Sequence, residues 1–141
     1  MNIPDLRKRA ESGSVVAQAV LGACDLDGVD VETDYTEAFR LLSAAADQGA
    51  PRAMANLARM YAQGLGLRKN LEEAVRLYEA AANAGDFFAQ VELGRIYSRG
   101  LGIPADPELA LKWYSTAARQ EQAVGDCGEL REARAYITKT S

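Results

Sequence analysis

The sequence contains no histidine. That removes the commonest acid–base side chain and the commonest transition-metal ligand. Serine–histidine and cysteine–histidine nucleophile pairs are impossible within this chain. There are only two cysteines, Cys24 and Cys127, too far apart in sequence for a CxxC motif. Each is expected as a reduced, buried thiol rather than a redox or disulfide partner. Aromatic residues make up only 7% of the chain. No apolar run approaches the roughly 18–20 residues of a membrane span. The opening segment Met1–Arg9 has no apolar stretch behind its charges, so no signal peptide is expected. With 20 acids against 16 bases, the balance argues against a general nucleic-acid binder. The expectations that follow are a cytoplasmic location, no membrane contact, no nucleic-acid partner, no metal, no cofactor and no catalytic residues.

Apolar residues make up 48% and the net charge is −4 over 141 residues, which suits a folded chain rather than a disordered one. The chain repeats itself at a step of 36 residues. Gly13, Gly49 and Gly85 share one register, as do Ala17, Ala53 and Ala89, then Leu21, Leu57 and Leu93, then Gly28, Gly64 and Gly100. Ala38, Ala74 and Ala110 follow the same step, with the pairs Ala45-Ala46, Ala81-Ala82 and Ala117-Ala118. A register held through three copies is the mark of a repeat array.

Each unit reads as two helices. Ser14 and Asp86 are N-cap types before the first helix, and Pro51 suits a first helical position. Asp34, Asn70 and Asp106 are N-cap types before the second. Glu37 and Glu73, three residues on, have the spacing of a capping box. Gly28, Gly64 and Gly100 can take the positive φ that ends a helix. Helices are predicted over 3–12, 15–27, 35–48, 52–63, 71–84, 87–99, 107–121 and 127–138. One helix pair cannot bury its own apolar face, so the units must stack. Trp113 and Tyr114 fall in register with Leu77 and Tyr78, which makes them packing residues. Glu129 falls where leucine belongs, so the last helix leaves the register, as a polar terminal cap does.

Two sharper motifs fail on spacing. The acidic segment Asp25–Asp34 lacks the glycine and glutamate of a calcium loop, because Asp30 and Thr36 stand at those positions. It reads as a solvated connector. Gly64-x-Gly66 and Gly100-x-Gly102 lack the third glycine and the preceding strand of a phosphate-binding fingerprint, and read as turns.

The run from Ala89 through Leu93-Gly94, Tyr97, Gly100 and Gly102, continuing to Ala110 and Trp113-Tyr114, resembles the Sel-one-like repeat (SLR), a relative of the tetratricopeptide repeat. The first copy departs at Asp25, which replaces a tyrosine, and at Asp30, which replaces the second glycine. Ala58 replaces a glycine in the second copy. The resemblance implies an all-α, right-handed α–α superhelix of three 36-residue repeats with a capping helix at each end. The expected organisation is one SLR domain over 1–141. Its parts are an N-terminal cap over 1–13, repeats over 14–49, 50–85 and 86–121, and a C-terminal cap over 122–141.

The resemblance also implies a non-catalytic adaptor, of bacterial type, that binds a protein or peptide in its concave groove. An immunity or chaperone-like protein that sequesters one partner is the alternative. A hydrolase of the cysteine-rich, β-lactamase-like SLR type is a further one, and the missing cysteine pairs count against it. The groove is expected on the side of each first helix opposite the core. It comprises Val16, Ala19, Val20, Ala23 and Asp27, then Arg52, Ala55, Asn56, Arg59 and Gln63, then Phe88, Val91, Glu92, Arg95 and Arg99. Of these, Arg52, Asn56, Arg59, Gln63, Phe88, Glu92, Arg95 and Arg99 are the candidate partner-binding residues. Residues 14–49 carry seven acids and one base, whereas residues 50–85 carry five bases and three acids. Exposed, unpaired Arg59 and Arg95 would suit a partner with acidic groups, although a solvated polar face also accounts for either.

Overall fold

The computed structural model describes residues 2–140; Met1 and Ser141, the bounds of the expected domain, lie outside the described residues. Every regular element among the described residues is a helix. In chain order these are α1 (Ile3–Glu11), α2 (Val15–Asp27), α3 (Tyr35–Asp47), α4 (Pro51–Gln63), α5 (Leu71–Asn83), α6 (Phe87–Arg99), α7 (Pro107–Ala118), α8 (Glu121–Val124) and α9 (Gly128–Thr140). The helices group into two compact units that divide between Ala80 and Ala81.

The helix starts are set by side-chain caps at the expected positions. Ser14 Oγ accepts from the Ala17 N–H at 3.2 Å, and Asp86 Oδ2 from the Ala89 N–H at 3.0 Å. Asp34, Asn70 and Asp106 accept in the same way from Glu37, Glu73 and Leu109, at 3.0, 3.1 and 3.2 Å. The capping boxes are only half made. The N–H groups of Asp34, Asn70 and Asp106 donate instead to the carbonyls of Asp25, Tyr61 and Tyr97. Those three carbonyls share one register, so each connector is pinned to the last turns of its preceding helix. Glu37 and Glu73, released from capping, pair with Arg40 and Arg76 one turn on. These arginines hold the two carboxyls below the usual glutamate range.

The first connector keeps the shape of the others despite its substitution. Asp30 has φ 61°, close to the 74° and 82° of Gly66 and Gly102 in the same register. Aspartate is among the few side chains that tolerate this region. Asp25 is a correction: it is not solvated, because α2 extends to Asp27 and buries Asp25 to 3% exposure. Its Oδ2 is buried without a hydrogen-bond partner, and burial raises its carboxyl above the usual range while Arg7 opposes the rise.

In the first unit α1 packs on α2, α2 on α3 and α4, and α3 on α4. Ala10, Ala17, Leu21 and Leu41 form a core flanked by Ile3 and Leu6. In the second unit α6 packs on α7, and α9 covers both. Its core joins Phe87, Val91, Tyr114, Ala117, Leu130 and Ala133. Leu130 and not residue 129 supplies the buried leucine of α9, a one-residue slip from the repeat register. The predicted helix over 107–121 ends three residues early, because Gln120 turns its amide to Gly85 O and Gln90 Oε1. The short α8 follows, between the last repeat and α9. Trp113 and Tyr114 are buried as expected. Neither Cys24, buried, nor Cys127, half-buried, forms a disulfide. Burial raises the Cys24 thiol, and Asp30, Asp25 and Asp27 add to the rise.

Close helix contact depends on two helical glycines. A Cβ at Gly94 would lie 2.8 Å from the Tyr114 ring, and one at Gly22 would lie 2.8 Å from Leu42 Cγ. Tyr114 is itself only 2% exposed, so its ring has little room to yield. Gly94→Val should therefore cost about 1–3 kcal/mol in a urea titration. A variant as stable as the parent would show that α6 and α7 do not meet as described.

Candidate interaction surface

The outer faces of α2, α4 and α6 carry the residues expected to line a groove. In the first unit the α2 face is apolar. Val15, Val16, Ala19, Val20 and Ala23 line a concavity of about 450 Å³, closed by Val29 and by Ala50, Pro51 and Arg52 at the start of α4. Val16 is 70% exposed and Val29 is 49% exposed, high values for apolar side chains. The charged residues of its lining are Asp27, at the far end of α2, and Arg52.

On α4, Arg52 and Gln63 are exposed, and Asn56 and Arg59 are half-buried; Ala55, expected on the groove, is buried. Arg59 is not unpaired. Its Nη2 donates to Asp27 Oδ1 at 2.7 Å, and its Nε is buried without a partner. The pair ties the end of α2 to α4.

On α6, Phe88 is 41% exposed and packs edge-on to Phe87. Arg99 is exposed and Glu92 half-buried, whereas Val91, expected on the groove, is 1% exposed and belongs to the core. Arg95 is a second correction. It is held between Glu92 on its own helix and Glu132 on α9. Its Nε and Nη2 donate to the two Glu132 oxygens at 2.7 and 2.8 Å, and the Tyr114 hydroxyl donates to Glu132 Oε2 at 2.9 Å. The arginines that sequence reasoning offered to an acidic partner are thus answered from within. Their acids were missed because Asp27, on the groove face, was read only as part of an acidic segment and Glu132 lies beyond the repeats.

Sequence reasoning also missed two buried glutamines. Gln18 Nε2 donates to Ala10 O and Gln90 Nε2 to Ala82 O. Gln48 and Gln120 then donate to Gln18 Oε1 and Gln90 Oε1. These positions share a register, so the signal was present as Gln18 and Gln90 on otherwise apolar faces. Among the described residues no group of three acids or cysteines is placed to hold a metal. No helix among them is long and apolar enough to cross a membrane.

The Arg95–Glu132–Tyr114 network makes stability depend on pH in a defined direction. Arg95 lowers the Glu132 carboxyl, burial opposes this, and Tyr114 assists the lowering. Burial and the Glu132 contact push the Tyr114 hydroxyl up to about 12. A carboxyl lowered in the folded state contributes stability that is present above its unfolded value and lost as pH falls through the folded value. Glu132→Gln should cost about 1–3 kcal/mol at neutral pH, because it leaves a half-buried guanidinium short of an anion. Urea titrations of variant and parent should converge as pH falls below about 4. An equal gap at both pH values would contradict the ion pair.

A Sel1 repeat model matches residues 15–49, 51–86 and 88–121, which covers most of the chain. No curated protein sequence matches it. Among solved structures, it is similar to a Sel1 repeat protein from Oxalobacter formigenes, with 40% identity, a TM-score of 0.77 and 96% of each chain covered. It is similar to c5321, a protective antigen of uropathogenic Escherichia coli strains displaying an SLR fold, with 29% identity and a TM-score of 0.77. That match takes 96% of this chain but only 32% of the antigen. Cysteine-rich protein B of Helicobacter pylori shares the fold at 23% identity, with a TM-score of 0.70 and 96% of each chain covered. The fold class is therefore the expected all-α SLR solenoid. Three matched repeats and a 40% identical relative of the same extent show that the chain belongs to the Sel1 repeat family, whose members are generally protein-interaction scaffolds.

Proposed function

We propose that this chain is a non-catalytic bacterial adaptor, acting in the cytoplasm as a single domain, that docks a protein or peptide against the outer faces of its first helices. The apolar concavity on α2 carries this reading. A contiguous exposed apolar surface on a soluble fold is costly to keep wet and marks a contact site. Val16, Ala19, Val20 and Ala23 supply desolvation energy, and Arg52, Asn56 and Gln63 on α4 supply a polar rim. On α6, Phe88 is an apolar anchor with Glu92 one turn on, and Arg99 lies at the far end of the helix. Arg59 and Arg95 contribute position rather than free charge, since each is already paired. A non-catalytic role is supported by the absence of histidine and by charged groups on these faces that serve the framework.

The test is Val16→Asp, with a partner captured from the native host and its affinity then titrated. Val16 is 70% exposed, so melting should stay within the small range of surface changes. Affinity should fall about tenfold or more, because the new carboxylate must be desolvated against apolar surface. Unchanged affinity would place the contact elsewhere.

A further inference from the structure

A second concavity, of about 730 Å³, lies within the first unit, away from the apolar α2 face. Tyr35, Thr36 and Phe39 at the start of α3 form one wall, and Tyr61 near the end of α4 forms another. The connector from Gly66 to Asn70 closes it, with Leu71 and Glu72 of α5 at the rim. Phe39 and Tyr61 meet edge to face, with ring centroids 6.3 Å apart. The connector lies directly against α3: a Cβ at Gly66 would stand 2.3 Å from the Tyr35 Cβ. The Tyr35 wall is therefore held in place by the connector backbone. Tyr35 and Phe39 are each 37% exposed, so their rings are available from solvent.

The repeat register shows that Tyr35, Phe39, Arg68 and Lys69 are not framework, whereas Tyr61 is a repeat position that recurs as Tyr97. Tyr35 corresponds to Leu71 and Pro107, and Phe39 to Val75 and Leu111. Arg68 corresponds to Glu32 and Pro104, and Lys69 to Thr33 and Ala105. Stacking fixes the same residue type in every copy, as at Leu21, Leu57 and Leu93. Here two aromatics and two cations appear together at one junction and in no other copy. Three of the ten aromatic residues, Tyr35, Phe39 and Tyr61, line this one concavity.

Charge gives the occupant its sign. Arg40, Arg59, Arg76 and Arg95 are all ion-paired. Arg68 and Lys69 are exposed, and neither has an ion-pair partner among the described residues. Glu72 is the one opposing charge on the rim, which leaves an excess of one positive charge. The geometry points to a peptide-binding site here: an aromatic or large aliphatic side chain of a partner inserts between Tyr35, Phe39 and Tyr61, and flanking aspartate or glutamate residues pair with Arg68 and Lys69. Aromatic walls reward a ring or branched chain with area and edge-on contact. Cations on a short connector give charge-assisted contacts to carboxylates beside it.

The probe is a display library of random dodecapeptides, panned against the full chain. Winners are resynthesised with a fluorescent label for anisotropy titrations. Peptides combining an aromatic or leucine with neighbouring acids should be enriched. Their affinity should fall about tenfold or more for Arg68→Glu/Lys69→Glu, and weaken as salt is raised. Phe39→Ala should also weaken them about tenfold, and Tyr35→Ala serves if that variant melts early. Val16→Asp, on the α2 concavity, should leave these peptides bound as tightly as before, which separates this site from the proposed adaptor groove. No enrichment, enrichment of basic or purely polar peptides, or affinities indifferent to the double charge reversal would each overturn the site.

Discussion

A helix pair of about two dozen residues has an apolar face that it cannot cover by itself, and everything else in this protein follows from how that face is covered. Neighbouring helices must approach closely, so contact positions admit only small side chains. Ala17, Ala53 and Ala89 are 1%, 0% and 0% exposed, and Ala45, Ala81 and Ala117 are all 0% exposed, which leaves no room for a longer residue at either register. Leu21, Leu57 and Leu93 fill the space between, at 0%, 7% and 0%. Where even a methyl group is too much, glycine appears, at Gly22 against Leu42 and Gly94 against Tyr114. Alanine, the best helix former, thus answers the contact and the helix at once.

That constraint explains which parts of the fold were legible. Helix starts followed from Ser14, Asp34, Asn70, Asp86 and Asp106, each of which caps as its type suggests. Helix ends followed from Gly28, Gly64 and Gly100, with φ of 70°, 68° and 64°. The failures lie where partners come from outside the register. Asp25 was read with its acidic neighbours, but its place on the last turn of α2 buries it. Arg59 and Arg95 were read as open because Asp27 and Glu132 have no fixed spacing to them; Glu92, three residues before Arg95, was the one acid whose helical spacing announced a pair. The end of α7 was set by Gln120 reaching a carbonyl and a buried amide, which no local propensity announces. The slip from residue 129 to Leu130 came with the short α8 inserted before it.

The candidate surface was legible in part, for the same reason. Positions free of stacking are free to vary, so comparing the copies marked the helix faces that could specialise. The comparison did not separate arginines held by the framework from those left to solvent. The structure makes that separation: Arg59 and Arg95 lock helices together, while Arg68 and Lys69 stand on a connector beside exposed rings. The proposed apolar contact on α2 and the proposed charged aromatic contact at the α3–connector junction are two different chemistries on one small scaffold. A repeat framework can specialise both without disturbing its core.

One register buries the same positions in each copy. The most direct measurement is a pair of urea titrations, on Leu21→Ala in the first unit and Leu93→Ala in the second. Both side chains are fully enclosed, so each variant should lose about 2–5 kcal/mol. A loss below about 1 kcal/mol at either position would contradict a shared core register.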